Sequence, residues 1–159
     1  MTENSRLPRS QRYNPSSQDF HKEDFPFYWL AQVHGRYSQA MERALKKVNL
    51  DIPRWRILAT LNQEGCCSIS QIALHSIAKL PTVTKIIQRM KEDQLVETQI
   101  SADDGRVTEV VITDKGRAAL DEIHAATAPL FRDSFKGMTQ AQIQRLNKLL
   151  EQLFHNLPE

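Results

Sequence analysis

The residues best suited to contact another molecule lie together near the middle of the chain, between Leu80 and Lys91. Apolar side chains recur there at three- and four-residue spacing, which predicts an amphipathic helix with one buried side. Pro81 suits the first position of that helix, because its ring fixes a helical φ and its missing N–H has no intrahelical partner. The predicted buried residues are Val83, Ile86, Ile87 and Met90.

The opposite side of this helix carries hydroxyls, an amide and cations, and it contains no acid. Such groups form hydrogen bonds with base edges, and the cations also contact phosphates, so the face suits the major groove of DNA. The candidate DNA-contacting residues are Thr82, Thr84, Lys85, Gln88 and Arg89. An ordinary solvent-exposed helix can carry similar residues, so the flanking elements decide between the two interpretations.

A short helix precedes this one, and two β-rich segments follow it. The first helix is expected at about Ser70 to His75, with a break at residues 76–79. Residues 95–100 and 106–112 are rich in β-branched side chains, and the Asp-Gly pair at 104–105 between them is a turn signal. The order helix, break, helix and hairpin is that of a winged helix-turn-helix.

Arg106 is expected at the tip of this hairpin, the wing. A cation there can enter the narrow minor groove of DNA. Asp104 lies two residues earlier and could orient the guanidinium through paired hydrogen bonds. Asp104 and Arg106 therefore join the candidate DNA-contacting residues. The alternative for Arg106 is a solvated turn residue.

The wing also carries a recognisable pattern. Its residues are Asp104, Arg106, Val110, Ile112, Thr113 and Gly116. They resemble the signature D-x-R-x-x-x-V-x-[LI]-T-x-x-G of the MarR family of bacterial regulators, and the likeness extends over about Phe25 to Leu157. The resemblance implies a homodimeric, ligand-responsive transcription factor, most often a repressor. It also implies a mostly α fold (α+β winged helix) of six helices and a β-hairpin wing, with a dimer formed by interleaved N- and C-terminal helices.

The expected domain boundaries follow from this predicted winged-helix fold. Residues 1–24 are polar and are expected to form a flexible N-terminal arm. Residues 25–157 are expected to form a single domain. It comprises dimerisation helices at 25–48 and 113–157 and the winged helix-turn-helix at 53–112.

The last predicted helix begins at a capping box formed by Thr139 and Gln142. Its apolar face is wider than one neighbouring helix would cover, which favours a homodimer. Two-fold symmetry would place two recognition helices about one DNA turn apart, on a roughly palindromic operator.

The resemblance further implies a ligand pocket between the dimer-forming helices and the DNA-binding part. The residues that could line it are Tyr28, Trp29, His34, Arg36, Tyr37, Arg54 and Trp55. Aromatic walls with cations suit a small aromatic acid, because the rings stack and the carboxylate takes a charge-assisted hydrogen bond. The alternative is that the aromatic residues belong to the core and the cations to the surface.

Composition and motif spacing narrow the classes of protein to which the chain could belong. The chain has 159 residues and a formal net charge of +2, so any DNA affinity depends on where the charges lie. No apolar run is long enough to cross a membrane, and the polar N-terminus favours a cytoplasmic protein. The five histidines are scattered singly, and no phosphate loop, nucleophile motif or metal-ligand spacing occurs. We therefore expect no cofactor, no metal and no enzymatic activity.

Two alternatives to a ligand-responsive regulator stay open. Cys66 and Cys67 are adjacent, and a disulfide between neighbours is strained, so reduced thiols are expected. A thiol-redox-sensing regulator would need an exposed thiolate beside a cation, which this segment does not supply. The other alternative is a winged-helix module that binds protein without binding DNA.

Overall fold

The computed structural model describes residues 12–158. It contains six α-helices and a small antiparallel sheet, which confirms the predicted winged-helix fold. The helices are α1 Pro26–Lys46, α2 Ile52–Glu64, α3 Ile69–Ser76, α4 Leu80–Glu92, α5 Asp114–Ser134 and α6 Gln140–Asn156. The strands are β1 Cys66–Ser68, β2 Val96–Ile100 and β3 Thr108–Ile112. Within the described residues, none of the helices has the length and apolar character needed to span a membrane.

Contacts within the chain divide it into two compact units, one ending at Arg43 and the other beginning at Ala44. In the first unit, residues 12–24 of the expected N-terminal arm form local hydrogen bonds and an ion pair. The His21 N–H donates to the Arg12 carbonyl at 2.8 Å, and the Arg12 guanidinium pairs with Asp24 at 2.7 Å. These two links close a turn whose local hydrogen bonds the polar composition did not reveal. Residues 1–11 of the expected arm lie outside the described residues.

The second unit has its core among α2, α3, α4, α5 and the sheet. Val83, Ile87 and Met90 of α4 are buried, as the spacing predicts. Ile86 is only half-buried, which corrects the predicted stripe. Positions 83, 87 and 90 point to one side of the helix, whereas position 86 lies at the edge of that side.

The sheet has three strands in the order β1-β3-β2. The β2–β3 hairpin is the predicted wing, and β1 adds an edge strand, with Cys67 opposite Val110. Gly105 has no positive φ, so the wing does not turn through the tight Asp-Gly geometry that the sequence suggested. A seven-residue loop joins the strands instead, and it is closed by the Ser101 N–H donating to the Val107 carbonyl at 2.9 Å.

Thr113 and Gly116 connect the wing to α5. The Thr113 hydroxyl donates to the Gln94 carbonyl at 2.7 Å and accepts from the Gly116 N–H at 3.0 Å, which caps the helix as predicted. A Cβ atom at position 116 would overlap the Leu95 carbonyl oxygen and would lie 2.8 Å from the Ile112 Cγ1 atom. The T-x-x-G part of the signature thus permits the first turn of α5 to lie directly against the end of the α4–β2 segment.

Helix α6 begins at the predicted capping box, where the Gln142 N–H donates to the Thr139 hydroxyl at 3.3 Å and the Thr139 N–H donates to the Gln142 side chain at 2.8 Å. None of its residues is buried. Leu149 is 54% exposed and Phe154 is 72% exposed. A broad apolar face of α6 therefore lies open on the isolated chain.

Candidate DNA interface

Helix α4 presents its polar face to solvent. Lys79 precedes the helix, and Pro81 is its second residue rather than its first, because Leu80 already has helical geometry. All five candidate residues of the helix are exposed. Among the described residues, the side chains of Thr82, Lys85 and Arg89 form no hydrogen bond or ion pair. These three side chains are therefore available to a partner.

Thr84 and Gln88 are already engaged within the helix. The Thr84 hydroxyl donates to the Leu80 carbonyl at 2.9 Å, and the Gln88 amide donates to Glu92 at 3.4 Å. The Thr84 hydroxyl hydrogen is thus used, which leaves its methyl group and oxygen lone pairs for DNA. The Gln88 bond is long and exposed, so a base could replace Glu92 as the acceptor.

The acid-free character of the α4 face is confined to its N-terminal part. Near the C-terminal end of α4, Arg89 lines an open cavity of about 410 Å³. Arg54 and three acids, Asp51, Glu92 and Asp93, also line this cavity. The sequence could not show this cluster, because Asp51 belongs to the start of α2. Electrostatics therefore favour contact with DNA around Thr82 and Lys85, away from the three carboxylates.

The wing places Arg106 in an open and oriented position. Its side chain is 91% exposed, and its Nε and Nη2 atoms donate to the two Asp104 carboxylate oxygens at 3.2 and 3.3 Å. The Arg106 backbone N–H also donates to Asp104 at 3.0 Å. The hydrogen bonds from Arg106 lower the pKa of Asp104. The paired geometry expected from the sequence is present.

Lys91 links α4 to the wing. Its ammonium group donates to the Thr98 hydroxyl on β2 at 2.8 Å. Nothing in the spacing of positions 91 and 98 indicated this contact in the sequence. The bond helps to fix the direction of the wing relative to α4.

The two thiols lie in β1, beside acids. Cys66 is exposed and Cys67 is buried. Burial raises the pKa of Cys67, and the nearby Glu64 carboxylate adds to the effect. The pKa of Glu109 is lowered mainly by hydrogen bonds from Ser101 and Gln99, and the Cys66 thiol adds to the effect. For Cys67, burial and the neighbouring Glu64 carboxylate disfavour the thiolate, which is the form that an oxidation sensor requires.

Five of the candidate ligand residues lie on α1, in the first unit. The Tyr28 and Trp29 rings meet edge-on with centroids 5.2 Å apart, and the Trp29 indole N–H donates to the Glu23 carbonyl at 2.8 Å. His34 and Arg36 are exposed, and within the described part of the chain their side chains form no hydrogen bond or ion pair. Tyr37 is half-buried.

The other two candidates, Arg54 and Trp55, lie on α2. Trp55 is half-buried. The Arg54 guanidinium donates to Asp51 at 3.0 Å, to Asp93 at 3.3 Å and to the Asn49 carbonyl at 2.9 Å. It therefore braces the start of α2 against the end of α4. A ligand carboxylate would have to displace one of these carboxylates to bind it.

Comparison with known proteins identifies the family. A sequence model of the MarR family matches residues 50–108. The HTH-type transcriptional repressor IacR of Pseudomonas putida is 59% identical over 145 residues, which cover 91% of this chain and 87% of that protein. The chain belongs to the MarR family. It is a DNA-binding transcriptional repressor of that family and not an enzyme.

Solved MarR-family structures share the fold. A MarR-family regulator from Silicibacter pomeroyi has a TM-score of 0.78 and 20% identity, covering 87% of this chain and 93% of that one. BpsR from Bordetella bronchiseptica, whose DNA binding is regulated by 6-hydroxynicotinic acid, has a TM-score of 0.73 and 20% identity, covering 87% of this chain and 99% of its own. In the described part of this chain, no three His, Cys, Asp or Glu side chains are grouped so that they could hold a metal ion.

Proposed function

We propose that this MarR-family repressor binds a palindromic operator as a homodimer and is released by a small aromatic carboxylate. Each protomer places α4 in a major groove and the tip of its wing in the adjacent minor groove. The DNA-binding part of the proposal rests on one observation. Thr82 and Lys85 project unpaired from the acid-free end of α4, while Arg106 projects from the wing of the same unit.

The homodimer is supported by α6. Leu149, Phe154 and Leu157 are each at least half exposed on the isolated chain, and an apolar face of this size is characteristic of an interface. In the proposed dimer the terminal helices interleave, which buries this face and fixes the separation of the two α4 helices. Phe154→Glu should yield a monomer in sedimentation experiments, whereas Gln152→Glu on the polar side of α6 should remain dimeric.

The DNA contacts are tested with a fragment that the wild-type protein enriches from a random double-stranded library. Lys85→Ala and Arg106→Ala should each weaken binding by about 1–3 kcal/mol and reduce the salt slope by about one per protomer. Arg132→Ala removes the same charge from an exposed site at the end of α5 and should leave both quantities nearly unchanged. Equal losses in all three variants would mean that only net charge matters. Unchanged binding in the first two would remove α4 and the wing from the interface.

The effector half of the proposal is supported by the side chains of α1. Arg36 supplies a cationic group and His34 supplies an imidazole, both without partners inside the described chain, and Tyr28 and Trp29 supply aromatic surfaces on the same helix. The acid that regulates BpsR, 6-hydroxynicotinic acid, belongs to the same chemical class. We assign Tyr37 to the same site on α1. Arg54 and Trp55 of α2 stay candidates from the sequence, and an acid that bound Arg54 would have to replace Asp51 or Asp93 as its partner.

The ligand can release DNA only if it binds the DNA-competent arrangement less tightly than another arrangement. A tenfold loss of operator affinity needs about 1.4 kcal/mol of coupling, and operator DNA must then weaken ligand binding by the same factor. Calorimetric titration with benzoate, salicylate and indole carboxylates, with and without operator, measures both sides of this linkage. Arg36→Ala should abolish acid binding and leave DNA binding intact. Acids that bind equally well with and without DNA would refute the switch.

A further inference from the structure

The first turn of α4 is largely apolar. Leu80, Pro81 and Thr82 are all exposed, and only Thr82 can form a side-chain hydrogen bond. In helix-turn-helix proteins the N-terminal residues of the recognition helix are those that contact base edges. The part of α4 best placed to contact bases therefore offers mainly carbon atoms.

Leu80 is not required to fill the core. Val83, Ile87 and Met90 occupy the buried side of α4, whereas Leu80 is 48% exposed. Leu74, 77% exposed, and Ile77, 87% exposed, are further open apolar side chains in the segment that leads to Leu80. Isolated exposed leucines are common, but Leu80 belongs to the same helix as the unpaired cations Lys85 and Arg89.

The charges near Leu80 suit a nucleic acid. Lys79 and Lys85 flank Leu80 along the chain and are exposed, and the first turn of α4 contains no acid. A surface with cations around an apolar centre complements phosphates around an apolar group. In the major groove that apolar group is the C5-methyl of thymine, which side chains contact through van der Waals packing.

We propose that Leu80 contacts the C5-methyl group of a thymine in each operator half-site and thereby selects T·A at that position. The inference rests on the proposed function, because it requires α4 to enter the major groove. Burying one methyl-sized group contributes about 0.8 kcal/mol, which corresponds to about fourfold in affinity for each half-site.

The test removes the methyl from the DNA and the side chain from the protein. The enriched fragment is synthesised with thymine or with deoxyuridine at every thymine position, and binding is measured by fluorescence anisotropy. The wild-type protein should bind the uracil DNA about fourfold more weakly per half-site. Leu80→Ala should bind the thymine DNA more weakly and should lose most of this discrimination. Leu80→Met keeps an apolar side chain and should retain it.

Arg106→Ala is the matched control, because it weakens binding through the wing and should keep the full uracil effect. Circular dichroism and thermal unfolding establish that each variant is folded, and Leu80→Gln replaces Leu80→Ala if the latter is not. A wild-type protein indifferent to uracil, or a Leu80 variant with undiminished discrimination, overturns the contact. Failure of the wild-type protein to enrich any DNA would instead overturn the proposed function itself.

Discussion

Gly116→Ala should destabilise the protein strongly, although it adds only one methyl group. The new Cβ would overlap the Leu95 carbonyl oxygen and press against the Ile112 side chain at 2.8 Å. The first turn of α5 would have to move away from residues 94–95. That movement strains the Thr113 hydroxyl bond to Gln94 at 2.7 Å and the Thr113 N–H bond to Leu95 at 3.2 Å.

The magnitude follows from these contacts. Each lost hydrogen bond contributes about 1 kcal/mol, and overpacking costs about 1–3 kcal/mol more. The better helix propensity of alanine offsets about 1 kcal/mol of this cost. The free energy of unfolding should therefore fall by about 2–4 kcal/mol. Chemical denaturation at one fixed protein concentration measures the loss, because dimerisation would make stability concentration-dependent.

Gly105→Ala is the control for this experiment. Gly105 has no positive φ, and a Cβ there would meet no atom within 4 Å, so its free energy of unfolding should change by less than about 0.5 kcal/mol. If Gly116→Ala were as stable as Gly105→Ala, α5 would not lie as close to Leu95 as described, and the proposed reason for the T-x-x-G pattern would be wrong.

Three further predictions concern single side chains. Ser76→Ala should stabilise the protein by about 1 kcal/mol in denaturant titration, because the buried Ser76 hydroxyl has no hydrogen-bond partner within the described residues. Ile77→Gly should also stabilise it, by up to about 1 kcal/mol in the same assay, since Ile77 has a left-handed φ of 53° that a β-branched residue adopts at a cost. Arg106→Ala should raise the pKa of Asp104 in an NMR titration, because hydrogen bonds from Arg106 lower that pKa in the wild type. The Asp104–Arg106 pair is complete above the usual aspartate range and is lost as the pH falls through the lowered pKa, so an unshifted Asp104 in the variant would show that the pair is absent in solution.

The sequence predicted the elements that depend on local patterns. The stripe of Val83, Ile87 and Met90 defined α4, and the Thr139–Gln142 capping box located the start of α6 within one residue. Both features act through residues three or four positions apart, which a helix brings together whatever the rest of the chain does.

Long-range contacts could not be predicted in this way. The third strand, the Arg54–Asp93 bridge and the Lys91–Thr98 bond each join segments that only the tertiary fold brings together. The same limit applied to the electrostatics of α4. Its sequence contains no acid before Glu92, but Asp51 approaches the Arg89 end from another helix.

The bonds around residues 91–116 bear on how an effector could act. Lys91 ties α4 to β2, and Thr113 ties the start of α5 to the carbonyl of Gln94, just after α4 ends. Helix α4, the wing and the first turn of α5 are thus cross-linked at two neighbouring points, and the close approach at Gly116 leaves little room for them to slide. A ligand that distorted α4 alone would have to break these contacts. Moving α4, the wing and the first turn of α5 together breaks none of them. The coupling of about 1.4 kcal/mol needed for a tenfold effect is therefore more easily met by changing the separation of the two α4 helices in the proposed dimer.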